Sequence, residues 1–316
     1  MPLTAAPRTQ ELRDAACLEN VDRVSGDPAT SAFKAAARLH QSRWRAARNL
    51  PMGTHPIAGG DSARPLGSRL PLAYARETGA NAIDPRCAQA IRERLAAPQK
   101  HQMLNADRLF ADLLSSMPMC FNLFGTLTEP AAATAAVRTF WPDIPGRVEQ
   151  VIFEWSPGRA DPAYLGNRTS FDVAFILDLG EGERGVLGVE TKYHEHPTPV
   201  GIRPQSLARY LEVSRASGLF EEDDLAALPK DKASQIWLDH LLALSMLQHP
   251  SRQWRWARFV IVYADGNPSW APLVARYRGM LRDGATFGAS TFDELVESGA
   301  FEAEVRSALV ERYRCW

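Results

Sequence analysis

The stretch from Ser170 to Glu195, SFDVAFILDLGEGERGVLGVETKYHE, constrains the fold more than any other part of the chain. Val173–Leu177 and Val186–Val189 are apolar runs of strand length, and the polar, glycine-rich segment Gly180–Gly185 between them predicts a hairpin. Charged residues nevertheless stand within these strands: Asp172 near the start of the first, Glu190 and Lys192 near the end of the second. If Asp178 pairs with Val186, Asp172 lies opposite Lys192 and Ala174 opposite Glu190. Side chains alternate faces along a strand and opposed residues share a face, so Asp172, Glu190 and Lys192 converge. A one-residue slip would separate Asp172 from the other two. Two carboxylates and a lysine on one face suit a hard divalent cation such as Mg²⁺, which prefers oxygen ligands and keeps several waters. The small Ala174 leaves room for it beside Glu190.

Composition sets the frame for that hairpin. With 316 residues, 45% of them apolar, the chain is long enough for a substantial core without metal or disulfide staples. A formal net charge of −1 does not mark a nucleic-acid binder, so local charge matters more than the total. Cys17, Cys87, Cys120 and Cys315 are far apart and form no C-x-x-C pair, which argues against zinc and disulfides and for a reducing compartment. The N-terminal MPLTAAPRTQELRD has no apolar core of a secretory signal, and no run of about twenty apolar residues predicts a membrane span. The expected location is therefore cytoplasmic.

The hairpin sits in a regular succession of elements. Residues 1–30 are polar and peripheral in character, and Ser31–Asn49 predicts a basic helix carrying Phe33, Leu39 and Trp44. Its Lys34, Arg38, Arg43, Arg45 and Arg48 read either as a phosphate-backbone contact or as the solvated face of a helix packed on the core. Gly53–Pro71 reads as a long loop, followed by helices over Asp84–Ala97, Met103–Ser116 and Ala131–Phe140. Val148–Trp155 is a strand that ends near Glu154. After the hairpin, helices are expected over Pro204–Gly218 and Asp231–Gln248, a strand over Arg258–Ala264, and helices over Ala271–Asp283, Phe292–Glu297 and Phe301–Arg312. The acidic run Glu221–Asp224 suits the first turn of a helix. Strands with helices on the sheet faces make an α/β layered domain. Residues 1–72 form a basic N-terminal extension and loop, and residues 73–316 the main domain with a helical tail.

Asp172, seventeen intervening residues, then Glu190-Thr191-Lys192, set on strands in a helix, three strands, helix, strand order, resembles the PD-(D/E)XK nuclease superfamily. Phe171 stands where the motif's name has proline. The segments LLSSMPMCFNLFG, FEWSPGR, SFDVAF and GVETKYHE together resemble a bacterial group described as restriction endonucleases, over roughly residues 100–265. The resemblance implies a restriction-endonuclease-like core with a central mixed sheet flanked by helices, plus helical N- and C-terminal elaborations. It implies that Asp172 and Glu190 ligate Mg²⁺ (or Mn²⁺ in its place), with the Thr191 carbonyl oxygen as a third ligand. Lys192 would orient or activate the water or stabilise charge on phosphorus, and neighbouring carboxylates keep it cationic.

Such enzymes often carry one more carboxylate. Glu154 ranks first here for its closeness to the hairpin, ahead of Glu93, Asp107 and Asp112 on preceding segments, although Glu154 could equally pair with Arg159 or Arg168. His194 and His196 have chelating spacing but stand at a strand end closed by Pro197, where solvation or a phosphate contact is the alternative. Gln235 either reaches the site or is a satisfied buried amide. Trp155, Trp237, Trp254 and Trp256 read as core, and Arg252, Arg255 and Arg258 as a basic cluster that would flank the cleft. The functional expectation is a Mg²⁺-dependent endonuclease acting on DNA in restriction or defence. The alternatives are a catalytically inactive nucleic-acid-binding module of the same fold and a nuclease toxin with an immunity partner. Cutting both strands of a duplex would call for a homodimer, for which the sequence carries no signature.

Overall fold

The computed structural model describes residues 6–17, 21–55, 64–102 and 104–316. The chain opens with α1 (Thr9–Asp14), α2 (Pro28–Ala47), the antiparallel pair β1 (Gly53–His55) and β2 (Arg64–Leu66), α3 (Leu72–Thr78) and α4 (Pro85–Ala96). Next come α5 (Ala106–Ala111), α6 (Ser116–Phe124), α7 (Pro130–Phe140), β3 (Arg147–Trp155), β4 (Phe171–Gly180) and β5 (Glu183–Lys192). The remainder is α8 (Pro204–Ser217), α9 (Glu222–Ala227), α10 (Ser234–Leu247), β6 (Trp254–Tyr263), α11 (Trp270–Gly279), β7 (Phe287–Thr291), α12 (Phe292–Glu297) and α13 (Ala303–Tyr313).

Strands β3 to β7 form one mixed sheet in sequential order, antiparallel from β3 to β5 and parallel from β5 to β7. Helices cover both faces, so the central strands read as unbroken apolar runs. Alternation sorts their side chains: Val173, Phe175, Leu187, Val189 and Val260 join the core beneath α2, α6, α7 and α13. Ala174, Ile176, Val186, Phe259 and Ile261 join the core beneath α8, α10 and α11. On α10, Ile236, Trp237, Leu241 and Leu242 are fully buried, each stabilising the fold by roughly 1.5–3 kcal/mol. The α/β architecture with a five-stranded mixed sheet is the one expected for a restriction-endonuclease-like fold.

Several elements differ from the sequence expectation. The Met103–Ser116 helix is instead α5, begun by the Asn105 side chain accepting from the Arg108 N–H and ended at Asp112, whose extended backbone bridges Arg69; Met103 lies outside the described residues. Ser115 then caps α6, so the apolar SMPMCFNLF segment is a buried helix. The expected loop Gly53–Pro71 contains the β1–β2 pair, and residues 56–63 lie outside the described residues. Strand β6 begins at Trp254 and not Arg258, and β7 was not anticipated.

Helix α2 buries Phe33, Leu39 and Trp44. Its cations find partners within the chain: Arg38 pairs with Asp22 at 2.6 Å, Arg43 with Glu11, Arg48 with Glu311, and Arg45 donates to the Gly67 and Leu50 carbonyls. Only Lys34, beside His196 at 3.3 Å, approaches the β5 end of the sheet. The reading of α2 as a helix packed on the core is the one its contacts satisfy. All four cysteines are free thiols. Among the described residues no helix is long and apolar enough to cross a membrane.

Candidate active site

The β4–β5 hairpin turns more tightly than its glycine-rich sequence suggested. Gly180 pairs with Glu183, leaving Glu181 and Gly182 as a two-residue turn with φ of +54° and +77°. Positive φ at both central residues matches the right-handed twist of the flanking strands. Ala174 therefore faces Gly188, not Glu190, and continuing the ladder past Val173 and Val189 sets Asp172 across from Glu190, not Lys192. The register differs from the expected one by two residues, an even step, so Asp172 and Glu190 keep the same face.

That face opens beneath α8 and α10 into a cleft of about 730 Å³ lined by Glu154, Asp172, Glu190, Tyr210, Gln235 and Asp239. Asp172 Oδ2 accepts hydrogen bonds from the Thr191 backbone N–H at 2.8 Å and its hydroxyl at 2.7 Å. Glu190 Oε1 accepts from Lys192 Nζ at 2.6 Å and from Gln235 Nε2 at 3.0 Å. Lys192 also lies 5.8 Å from the Trp270 ring centroid. The Phe171 ring is stacked between Trp155 and Phe259 and lies over Gly188, which has no Cβ to meet it.

Glu154 belongs to the cleft by an unusual backbone. Its φ of +48° is the left-handed region that side-chain-bearing residues rarely adopt. The chain rotates there, so Phe153 and Trp155, two residues apart, enter opposite cores. Arg159 Nη2 donates to the Glu154 carbonyl at 2.6 Å and to Oε1 at 3.2 Å, Ser170 Oγ donates to Oε1 at 2.7 Å, and Arg94 donates to the Phe153 carbonyl.

Electrostatics distinguish these groups. Burial, then repulsion from Glu190, raises Asp172 well above the usual carboxylate range. Burial also raises Glu190 against the pull of Lys192. Burial disfavours charge on Lys192, but Glu190 and Asp172 outweigh it and hold the ammonium more firmly protonated than in water. Beyond the strand, Glu195 accepts from the Ser116 N–H at the start of α6 and from the Tyr193 N–H. Burial pushes Glu195 up, but His194, Lys192, the Ser116 N–H and its own backbone N–H reverse the effect and hold it at about 2.

The other expected residues fall elsewhere. Glu93 and Asp107 are exposed, the latter paired with Arg76, and Asp112 accepts from the Leu114 N–H; none lines the cleft. His194 stands beside Glu195 and His196 beside Lys34, outside the cleft lining. Arg255 pairs with Glu183 and Arg258 with Asp143, and neither lines the cleft. Asp239 was not singled out in the sequence. A lone carboxylate on a largely apolar helix, one turn after Gln235, was the available signal.

The donor set is all oxygen, which suits Mg²⁺ or Mn²⁺. Four carboxylates share the cleft lining, and Asp172 and Asp239 are each raised by burial and by the nearby charge of Glu190, a repulsion that a divalent cation would relieve. Among the described residues no three such side chains are already drawn together on one ion position, so waters would complete any coordination. No curated protein and no solved structure matches the chain. A family model described as the PD-(D/E)XK nuclease superfamily matches residues 27–315, from the start of α2 to the end of the C-terminal helix. That span takes in the sheet, both helical layers and the acid-acid-lysine hairpin, and the chain belongs to the PD-(D/E)XK nuclease superfamily.

Proposed function

We propose that the chain is a Mg²⁺-dependent endonuclease that hydrolyses DNA phosphodiester bonds in a restriction or defence setting. The observation that carries this reading is that Asp172 and Glu190 share one cleft while Lys192 donates to Glu190. Asp172, Glu190 and the Thr191 carbonyl oxygen would hold the cation, with Mn²⁺ as a substitute. When bound, Mg²⁺ supplies a Lewis acid for a phosphate oxygen and lowers the pKa of its water. Lys192 stays cationic because its carboxylate neighbours outweigh its burial. It therefore serves the negative charge that grows around phosphorus and does not act as a base. Glu154, held by Arg159 and Ser170, would orient the attacking water. Arg168 and Arg203, exposed on the cleft lining, suit the phosphates of a nucleic-acid backbone.

The test is cleavage of duplex and single-stranded DNA, and of RNA, with and without Mg²⁺. Asp172→Asn, Glu190→Gln and Lys192→Met are each expected to slow cleavage by on the order of 10²–10³-fold or more. Wild-type rates in all three variants would remove the assignment. A metal-independent mobility shift without cleavage would point to a binding module of the same fold.

A further inference from the structure

We propose that Asp239 is a positioning carboxylate of the cation site, its carboxylate group accepting a hydrogen bond from a water bound to the cation. The proposal rests on the reading of Asp172 and Glu190 as the ligands. Asp239 lies on α10, one turn after Gln235, whose amide already reaches Glu190 at 3.0 Å. Its side chain lines the cleft with Asp172 and Glu190, yet the residue is only 6% exposed. Its Oδ2 is buried and has no hydrogen-bond partner among the described residues.

The other cleft carboxylates are each answered. Glu154 has Arg159 and Ser170, Asp172 has the two donors of Thr191, and Glu190 has Lys192 and Gln235. A buried carboxylate left without a donor or cation destabilises the fold that carries it. Its retention on a largely apolar helix, whose Gln235, His240 and Ser245 side chains all have partners, therefore points to a partner that arrives with the ligand. The partner is a water and not the ion itself, because no three carboxylates already close on one ion position among the described residues, and Mg²⁺ usually keeps several waters. Carboxylates that orient a metal's ligands from outside the first coordination layer typically change affinity 10–100-fold when removed.

The experiment measures Mn²⁺ binding by calorimetry, and thermal unfolding in the absence of metal, for the full chain and for Asp172→Asn and Asp239→Asn. Wild-type binding, binding abolished in Asp172→Asn, and at least tenfold weaker binding in Asp239→Asn are expected. Metal-free Asp239→Asn should also melt no lower than wild type, because it loses a buried carboxyl whose Oδ2 has no partner and whose ionisation burial and the neighbouring carboxylates oppose. A structural role would instead lower the metal-free melting temperature, and that result overturns the proposal. Unchanged Mn²⁺ affinity in Asp239→Asn overturns it while leaving Asp172 and Glu190 as ligands. Equal binding by wild type and Asp172→Asn, or none by wild type, defeats the underlying site reading and the proposal with it.

Discussion

Gly188→Ala tests how the sheet positions Asp172. A Cβ at residue 188 would lie 2.5 Å from three atoms of the Phe171 ring. Carbon atoms pack comfortably at about 3.5–4.0 Å, so ring or strand must move by roughly 1 Å. Neither moves freely. Gly188 is paired on both sides, to Ala174 and Phe259, and Phe171 is fully buried between Trp155 and Phe259. Overpacking a well-packed core costs typically 1–3 kcal/mol, and this site should lie near about 3 kcal/mol. Phe171 directly precedes Asp172, so a shift of the ring carries the carboxylate with it. A displacement of ~1 Å at a reacting group lowers rate on the order of 10²-fold.

Urea unfolding, Mn²⁺ binding and DNA cleavage should be measured for Gly188→Ala, Phe171→Leu and the double variant. If the clash is the cause, the smaller leucine admits the new methyl. The double variant should then be more stable than the two single losses add to, by at least about 1.5 kcal/mol of coupling. Additive losses, or a Gly188→Ala protein with wild-type stability, would refute the close-approach argument.

Two further outcomes follow from buried polar groups. Arg159→Met removes the cation from a pair whose side chains are 3% and 11% exposed, and should cost about 3 kcal/mol in urea unfolding. Adding Glu154→Gln should recover part of that loss, and a double variant no better than Arg159→Met would show that Arg159 acts through the Glu154 carbonyl alone. His240 is buried between the Tyr277 hydroxyl and Thr286 Oγ1, and burial holds its pKa down at about 3. It stays neutral in the folded chain but protonates in the unfolded chain below its ordinary 6.5, so its contribution is present above that pH and lost as pH falls towards 3. Between pH 7 and 4.5 it should remove roughly 2–3 kcal/mol, and His240→Gln should flatten the pH dependence of stability by that amount. An unchanged slope in the variant would assign the acid sensitivity to other groups.

The sheet and its flanking helices were legible because they repeat a pattern many times. The unbroken apolar runs of β4 and β5 and the broad apolar face of α10 each rest on several residues, so no single exception hides them. The hairpin register differs by two residues from the one the sequence suggests because Glu181, not glycine or asparagine, occupies the first left-handed position of the turn. The face assignment survived because an even slip preserves it. Short elements carried too little pattern. Strand β7 is five residues, FGAST, at the edge of the sheet. Helix α6 contains Pro118, and its apolar residues surround it, so only the Ser115 cap marked its start.

The site was half legible for a different reason. Asp172, Glu190 and Lys192 lie on two strands joined by two residues, and strand geometry alone brings their faces together. Glu154 and Asp239 reach the same cleft from β3 and α10, and nothing local ties either to the hairpin. What separates these two is also tertiary. Glu154 turns into a left-handed backbone and meets an arginine five residues on, whereas Asp239 faces the cleft from a largely apolar helix and its Oδ2 meets no donor among the described residues. In sequence both are single carboxylates beside apolar residues. Only the arrangement of donors distinguishes the charge that the fold has already neutralised from the charge it leaves for something that enters the cleft. The useful anomaly to seek in such a chain is therefore a carboxylate inside an apolar helix, ahead of one at the end of a strand where arginines are near.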